Sequence, residues 1–492
     1  KKIYIALVIL CLGLVCPSFV FSQESLQDFS LSLSGDQMVE STVSLRNAIL
    51  VSHVEESVKA DYIPKRRYIV LDTKLRQLYD TIAEVAFRRK HKANYVGDSL
   101  FYDFFYDYRL GEYSLVTADK NMFFLMEGTL PNKMYEPQLV ITSEANFFLD
   151  RRINKERIIT QIKDSSVYHS TYVHRKKKRT KVFPMYFDKV ENSDDVAYIW
   201  REKSQKVDDI FVGIWESDGE AKDRFKFVIP GKSVHGITIR QFDEDRILLT
   251  GTYAKASSVQ ASGAFFAIVE DGATMLLNTY SFSELPHFFN YLDRYEKEEM
   301  KRKLARLKKH VKSTEIRTHA LAHSIIAVDR SFLLTIEFYS EVYDDYYGVR
   351  RNGNTIAGSP QSLKGYDYSH AICLRIDHNG QVKHDYFFDI TLDYTARKKG
   401  GIIRTQSIQD TLLLGYAGKN KFYFGSVKPL VFATMKSDTS FVQNDNGTIR
   451  RDAQFLYLPD GSVLVYGFKT QKGVIGQKKK ADIYFIEKRK VR

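Results

Sequence analysis

Between residues 235 and 282 the apolar positions come in four short bursts. Residues 236–241, 247–253, 264–269 and 275–282 are rich in Ile, Leu, Val, Thr, Tyr and Phe. Asp243-Glu244-Asp245 and Glu270-Asp271-Gly272 interrupt them, and a small-residue stretch links the second burst to the third. Such punctuation signals hairpins, because Gly tolerates positive φ and Asp bonds its own turn. The pattern predicts a four-stranded antiparallel meander.

The rest of the chain repeats it. Residues 94–127 read as one meander, 138–173 as a looser one and 182–229 as a third. Further copies run over 318–390, from 402 onward, and over 454–486. Ile199, Leu249, Leu334, Leu414 and Val465 fall at matching places in the second strands, several of them roughly fifty residues apart, a spacing typical of propeller repeats. Such a meander is the unit of a β-propeller blade. The expectation is an all-β β-propeller over 67–492, with about seven four-stranded blades and one helical insertion. The last repeat lacks a strand, so an N-terminal strand such as 67–72 is expected to close the ring and cover its edges. Leu75, Leu78, Ile82 and Val85 have helical spacing, but their Tyr- and Thr-rich surroundings favour strand-turn-strand. Residues 23–66 are polar and weakly patterned, and read as a leader segment with one candidate strand at 47–54.

Three stretches break the repeat. The insertion 284–314 holds a helix expected over 286–312. Phe288, Leu292, Tyr295, Glu299, Met300, Leu304, Leu307 and Val311 make its mostly apolar stripe. Lys297, Lys301, Arg302, Lys303, Arg306, Lys308 and Lys309 make a basic face, which either grips an anionic surface or is merely solvated. Residues 172–181, YVHRKKKRTK, form a dense basic run that reads as a solvated hairpin tip or a site for phosphate or sulfate groups. The long loop 342–369 carries Tyr343, Asp344, Asp345, Tyr346 and Tyr347, a mix of flat contact area and acceptors suited to sugars or a peptide. It has no EF-hand pattern. The candidate binding residues are therefore Lys301, Arg302, Arg306, Lys309, Tyr343, Asp344, Asp345, Tyr346 and Tyr347.

Gly251-Thr252-Tyr253, Gly263-Ala264-Phe265-Phe266, Tyr280-Ser281-Phe282, Leu321-Ala322-His323 and the run from Gly365 to Ala371 resemble a group of uncharacterised exported proteins of Bacteroidota. The resemblance is best over the second half of the chain. It implies export and a propeller-like fold, and it carries over no functional residues.

Composition adds a compartment. Lys1-Lys2, the apolar run 3–15 and Val20-Phe21-Ser22 read as a signal peptide over 1–22. Its removal takes the formal charge from +13 to +11 and leaves Cys373 as the one cysteine. Stability must then come from core burial and ring closure, with Cys373 an inert buried thiol. The expected location is the periplasm, cell surface or extracellular space. The expected partners are an envelope protein or an anionic glycan, with peripheral membrane contact and no nucleic acid.

No G-x-S-x-G, H-E-x-x-H, P-loop or dinucleotide motif is present. His319 and His323 lie four apart, but on a strand that is about 13 Å, too far to share a metal. No metal or cofactor is expected, and the catalytic residues are left open. The sequence favours a non-catalytic binding or scaffolding protein of the bacterial cell envelope; the alternative is a glycan-active propeller enzyme of glycoside hydrolase type.

Overall fold

Each strand expected in the 235–282 stretch is present: Lys232–Gln241, Arg246–Lys255, Gly263–Glu270 and Ala273–Ser281. They belong to a computed structural model that describes residues 27–490 apart from a set of connections. The longer of these are 56–64, 131–137, 150–158, 171–180, 310–314, 344–349, 356–362, 391–400 (Ala396 excepted), 418–421, 428–431, 439–448 and 471–481.

Among the described residues eight antiparallel sheets follow one another, at 38–84, 90–129, 138–170, 181–227, 232–281, 319–389, 404–438 and 449–490, and a separate ribbon pairs Arg350–Arg351 with Asn354–Thr355. The eight are four-stranded or, at 319–389, five-stranded. These are blades one to eight of a propeller. Gln27–Leu33 adds the fourth strand to blade eight by pairing with Asp482–Lys490, from Gln27↔Lys488 to Leu33↔Asp482. An N-terminal strand does close the ring, but it is not 67–72. Lys65–Asp72 is instead the third strand of blade one. The count is eight rather than seven because the stretch taken for a leader holds the closing strand and the first two strands of blade one, Met38–Leu45 and Ala48–Glu55. Gln27–Leu33 reads QDFSLSL, and its serines hide the strand signal.

Burial shows why the ring holds. Successive strand residues point to opposite faces, so each inner strand feeds two neighbours. In blade five Leu249 packs toward blade four, while Leu248 packs toward blade six. Eight apolar clusters result among the described residues, one for each contact between neighbouring blades. The eighth joins Ile49, Val51 and Ile69 of blade one to Leu464, Tyr484 and Ile486 of blade eight. First strands of neighbouring blades touch and so line the centre, whereas fourth strands such as Ala273–Ser281 are largely exposed. Within the first strands Glu40, Lys92, Met185 and His235 are extra, unpaired residues. Such bulges sharpen twist and re-aim a side chain.

Strands alternate in direction, so first-to-second and third-to-fourth turns lie on one face. Second-to-third and blade-to-blade connections lie on the other. On the first face no connection exceeds the six residues between Lys189 and Val196. Every longer connection is on the second face, including 282–318 and 344–362. Connections free of the ladder are where binding and catalytic groups accumulate.

The helix spans Arg294–Lys309, shorter than expected, and two 3-10 turns, Phe282–Glu284 and Phe288–Tyr291, precede it. Asp293 caps it: the Glu296 amide donates to Asp293 Oδ1 (2.8 Å), and the Asp293 amide donates to Glu296 Oε2 (3.2 Å). That reciprocal pair is a capping box and fixes the start. The expected stripe is corrected accordingly. Met300 and Leu304 face inward, whereas Tyr295, nine residues from Leu304 and thus about two and a half turns away, is 73% exposed. No helix of the described residues is long and apolar enough to cross a membrane.

Candidate functional site

The 282–318 connection leaves the long-connection face and lies against the outer wall between blades five and six. Its apolar residues determine that path. Phe282, Leu285, Phe288 and Phe289 are buried in the cluster that also holds Phe266, Phe332, Phe338 and Ile372. Phe288 and Phe282 stack at 5.5 Å, and both meet Phe338 edge-on, at 5.2 and 4.9 Å. Aromatic contacts of this kind hold the segment more firmly than area alone.

This docking brings His287 to Asp385, on the fourth strand of blade six, Val382–Asp389. The His287 amide donates to Asp385 Oδ2 (2.9 Å). Its ring Nδ1 lies 2.9 Å from Asp385 Oδ1 and 3.0 Å from the Asp385 carbonyl oxygen. Both ring partners are acceptors, so Nδ1 donates to them, and in the neutral imidazole Nε2 keeps the lone pair. The Asp385 side chain is 5% exposed and that of His287 is 53% exposed. A buried carboxylate thus fixes an accessible imidazole in its basic tautomer. Asp385 lines a cleft of about 310 Å³ together with Tyr280, Glu284, Leu285, Pro286 and Val382. Tyr280 donates to the Gly380 carbonyl (2.6 Å), and burial raises its phenol well above the usual range. Asn278 donates to the same carbonyl (2.9 Å), so two contacts fasten blade five to blade six below the cleft.

The second gathering of charged groups lies on the short-turn face. Burial holds the carboxyl of Glu191 above the usual range, against the pull of Arg240, while Asp188 beside it is exposed and accepts from the Lys189 amide (2.8 Å). Arg240 pairs with Glu191 (3.1 Å) and donates to the Ile325 carbonyl (3.1 Å), stitching blades four, five and six together. Glu191 also makes two backbone bonds to blade five, through Ile239 and Gln241. This group is committed to the ring. His323 is likewise committed: its Nε2 meets the fully buried Glu337 at 2.8 Å. His319 stacks on Tyr339 at 5.3 Å. Among the described residues no group of three His, Cys, Asp or Glu side chains could hold a metal ion.

The residues singled out from sequence do not converge. Lys301, Arg302, Arg306 and Lys309 are exposed on the helix, and Lys301 pairs with Glu298 at 3.1 Å. Tyr343 is 45% exposed and donates to Glu341 (2.6 Å). Asp344, Asp345, Tyr346 and Tyr347 lie outside the described residues, as does most of the basic run. The expected loop 342–369 is partly ladder, since Ser331–Tyr343 and Leu363–Asp377 pair along their whole length, as far as Tyr343↔Leu363. His287 and Asp385 were missed because they are 98 residues apart and neither lies in a motif. The available signal was a histidine following Pro286 within an aromatic run.

No family model and no curated protein matches the chain. Among solved structures it is similar to prolyl endopeptidases, at 10% identity and a TM-score of 0.41 over 89% of this chain and 55% of theirs. Prolyl oligopeptidase B from Galerina marginata gives 7% and 0.40 over 89% and 56%. Dihydro-heme d1 dehydrogenase NirN in complex with DHE gives 9% and 0.44 over 97% and 83%. The chain spans little more than half the length of the prolyl peptidases. At these identities the likeness concerns the fold alone. The expectation of a non-catalytic binding or scaffolding role is withdrawn in favour of the reading that the geometry at His287 and Asp385 supports.

Proposed function

We propose that this propeller is a hydrolase whose general base is His287, oriented by Asp385. One observation carries the reading: two acceptors face Nδ1 of a half-exposed imidazole, which leaves Nε2 of the neutral ring to take a proton, and its partner Asp385 lines the neighbouring cleft. In such a pair the carboxylate sets the tautomer and stabilises the imidazolium, while the free nitrogen takes a proton from water.

The test is hydrolysis of a panel of nitrophenyl esters, phosphates and glycosides by the full chain, His287→Gln and Asp385→Asn. At least one class should be cleaved, with kcat reduced about 10²–10⁴-fold in His287→Gln. A conservative change at Asp385 should also reduce kcat, because the imidazole loses its orienting charge. If both variants keep full activity and lose only stability, the dyad is a clasp for the insertion and the proposal fails. If glycosides are cleaved and Asp188→Asn and Glu191→Gln abolish the activity instead, the chemistry belongs to the short-turn face.

A further inference from the structure

The cleft beside Asp385 adjoins another space under the helix. Glu284, Leu285 and Pro286 line both it and a second hollow of about 280 Å³. The walls of this hollow include Leu285, Pro286, Phe289, Leu304 and Ala305, with Lys301 beside them. It is mainly apolar, with Ser283, Glu284 and Lys301 as its polar lining. Phe289 is buried and Leu304 half-buried, so the surface is held open between packed elements. Water there contacts carbon and finds few polar partners. An aliphatic chain displacing it gains the transfer free energy of each methylene.

We infer that the site acts on esters of apolar acyl chains, with the chain in the hollow under the helix and the carbonyl carbon beside His287. The inference rests on the hydrolytic reading and adds the substrate class. The step is balanced without any co-reactant other than water. His287 Nε2 takes a proton from water as its oxygen bonds to the acyl carbon. The acyl carbon–oxygen bond of the ester then breaks, and the imidazolium returns the proton to the departing alkoxide, giving acid and alcohol. Glu284, Leu285 and Pro286 line both spaces, so the substrate lies along these three residues.

The experiment uses 4-nitrophenyl esters from acetate to decanoate, and separately the fluorescent acid 11-(dansylamino)undecanoic acid as a binding probe. About 0.8 kcal/mol for each buried methylene corresponds to about a fourfold rise in kcat/KM per added carbon, until the hollow is full. Ala305, exposed on the helix, is changed to Trp to fill the hollow without disturbing the core. Ala305→Trp should lower the octanoate-to-acetate ratio at least tenfold and weaken the probe, while circular dichroism reports an intact fold. His287→Gln should bind the probe and not turn over. A flat chain-length profile together with no probe binding overturns this inference, even where His287-dependent hydrolysis persists. Probe binding lost in Ala305→Trp, without hydrolysis of any ester, overturns the hydrolase reading and the substrate assignment with it.

Discussion

Protonation of His370 should detach the segment that carries the site. His370 is 3% exposed, between Tyr291 of the insertion (ring centroids 4.3 Å apart) and Phe338 of blade six (4.5 Å). Phe288 meets it edge-on and Phe387 stacks at 5.6 Å. Nδ1 lies 2.9 Å from Ser369 Oγ, and Nε2 has no partner among the described residues. A second proton on the ring would therefore bury an N–H and a charge without an acceptor. Burial pushes the imidazole down to about 3 from its ordinary 6.5. A cation between aromatic rings regains about 0.5–2 kcal/mol. That is less than the shift implies, so desolvation prevails.

The sign follows from proton uptake. Below pH 6.5 the unfolded chain binds a proton at this residue and the folded chain does not. The contribution is fully present above pH 6.5 and is lost as the pH falls toward 3. At about 1.4 kcal/mol per pH unit, the loss between pH 7 and pH 4.5 is about 3 kcal/mol. His370→Phe keeps a flat ring in the stack and removes the titration. Urea unfolding of both proteins across that range should give curves that diverge by about 3 kcal/mol, the variant being the less acid-sensitive. Parallel curves would refute the reasoning.

Two further predictions concern the ring. Glu337 accepts from His323 (2.8 Å) and from the amides of Ile402 (3.0 Å) and Ile403 (2.6 Å), joining blade six to the start of blade seven. Glu337→Ala strands these donors and should cost about 3–5 kcal/mol in urea unfolding, with Glu337→Gln milder; a loss under about 1 kcal/mol would contradict a joining role. Deleting residues 27–33 leaves the outer edge of Asp482–Lys490 open, so size-exclusion chromatography should show self-association that the peptide QDFSLSL reverses. A monomeric deletion that ignores the peptide would mean that the closing strand is dispensable.

What could be read from the sequence was what the backbone pattern determines locally. Residues 236–282 declared their strands because turn residues separate apolar runs, and Asn379-Gly380 marked its hairpin, with Gly380 at φ 69°. Polar strands stayed hidden. Gln27–Leu33 owes its place to pairing with Asp482–Lys490, a partner more than four hundred residues away, which no local window contains. The insertion's helix was visible, but its start was not, because Asp293 acts through a bond to Glu296. Periodicity alone assigned Tyr295 to the inner stripe, and the true phase depended on where the cap stood. The site was harder still. Charge-rich stretches such as 297–309 attract attention in a sequence. The dyad, by contrast, is one ordinary histidine and one ordinary aspartate, brought together by the burial of four phenylalanine and leucine side chains.

That dependence links the stack to the chemistry. His287 lies between Leu285 and Phe288, both buried, and Tyr291 follows within the same short turn. The imidazole is held at Asp385 because Phe288 and Tyr291 pack on Phe338 and His370. The aromatic packing therefore positions the base, and the dyad bonds add direction to a segment that apolar burial has already placed. The arrangement also explains why the longest connection of the molecule is not a free loop. A segment leaving the long-connection face could have remained in water. Its phenylalanines instead find uncovered apolar surface where the outer strands of blades five and six diverge. The helix that follows then roofs the hollow between Leu285, Phe289 and Leu304. One insertion into one blade-to-blade connection thus supplies the base, the cleft wall and the apolar hollow, while the eight-bladed ring supplies a rigid wall and a buried carboxylate.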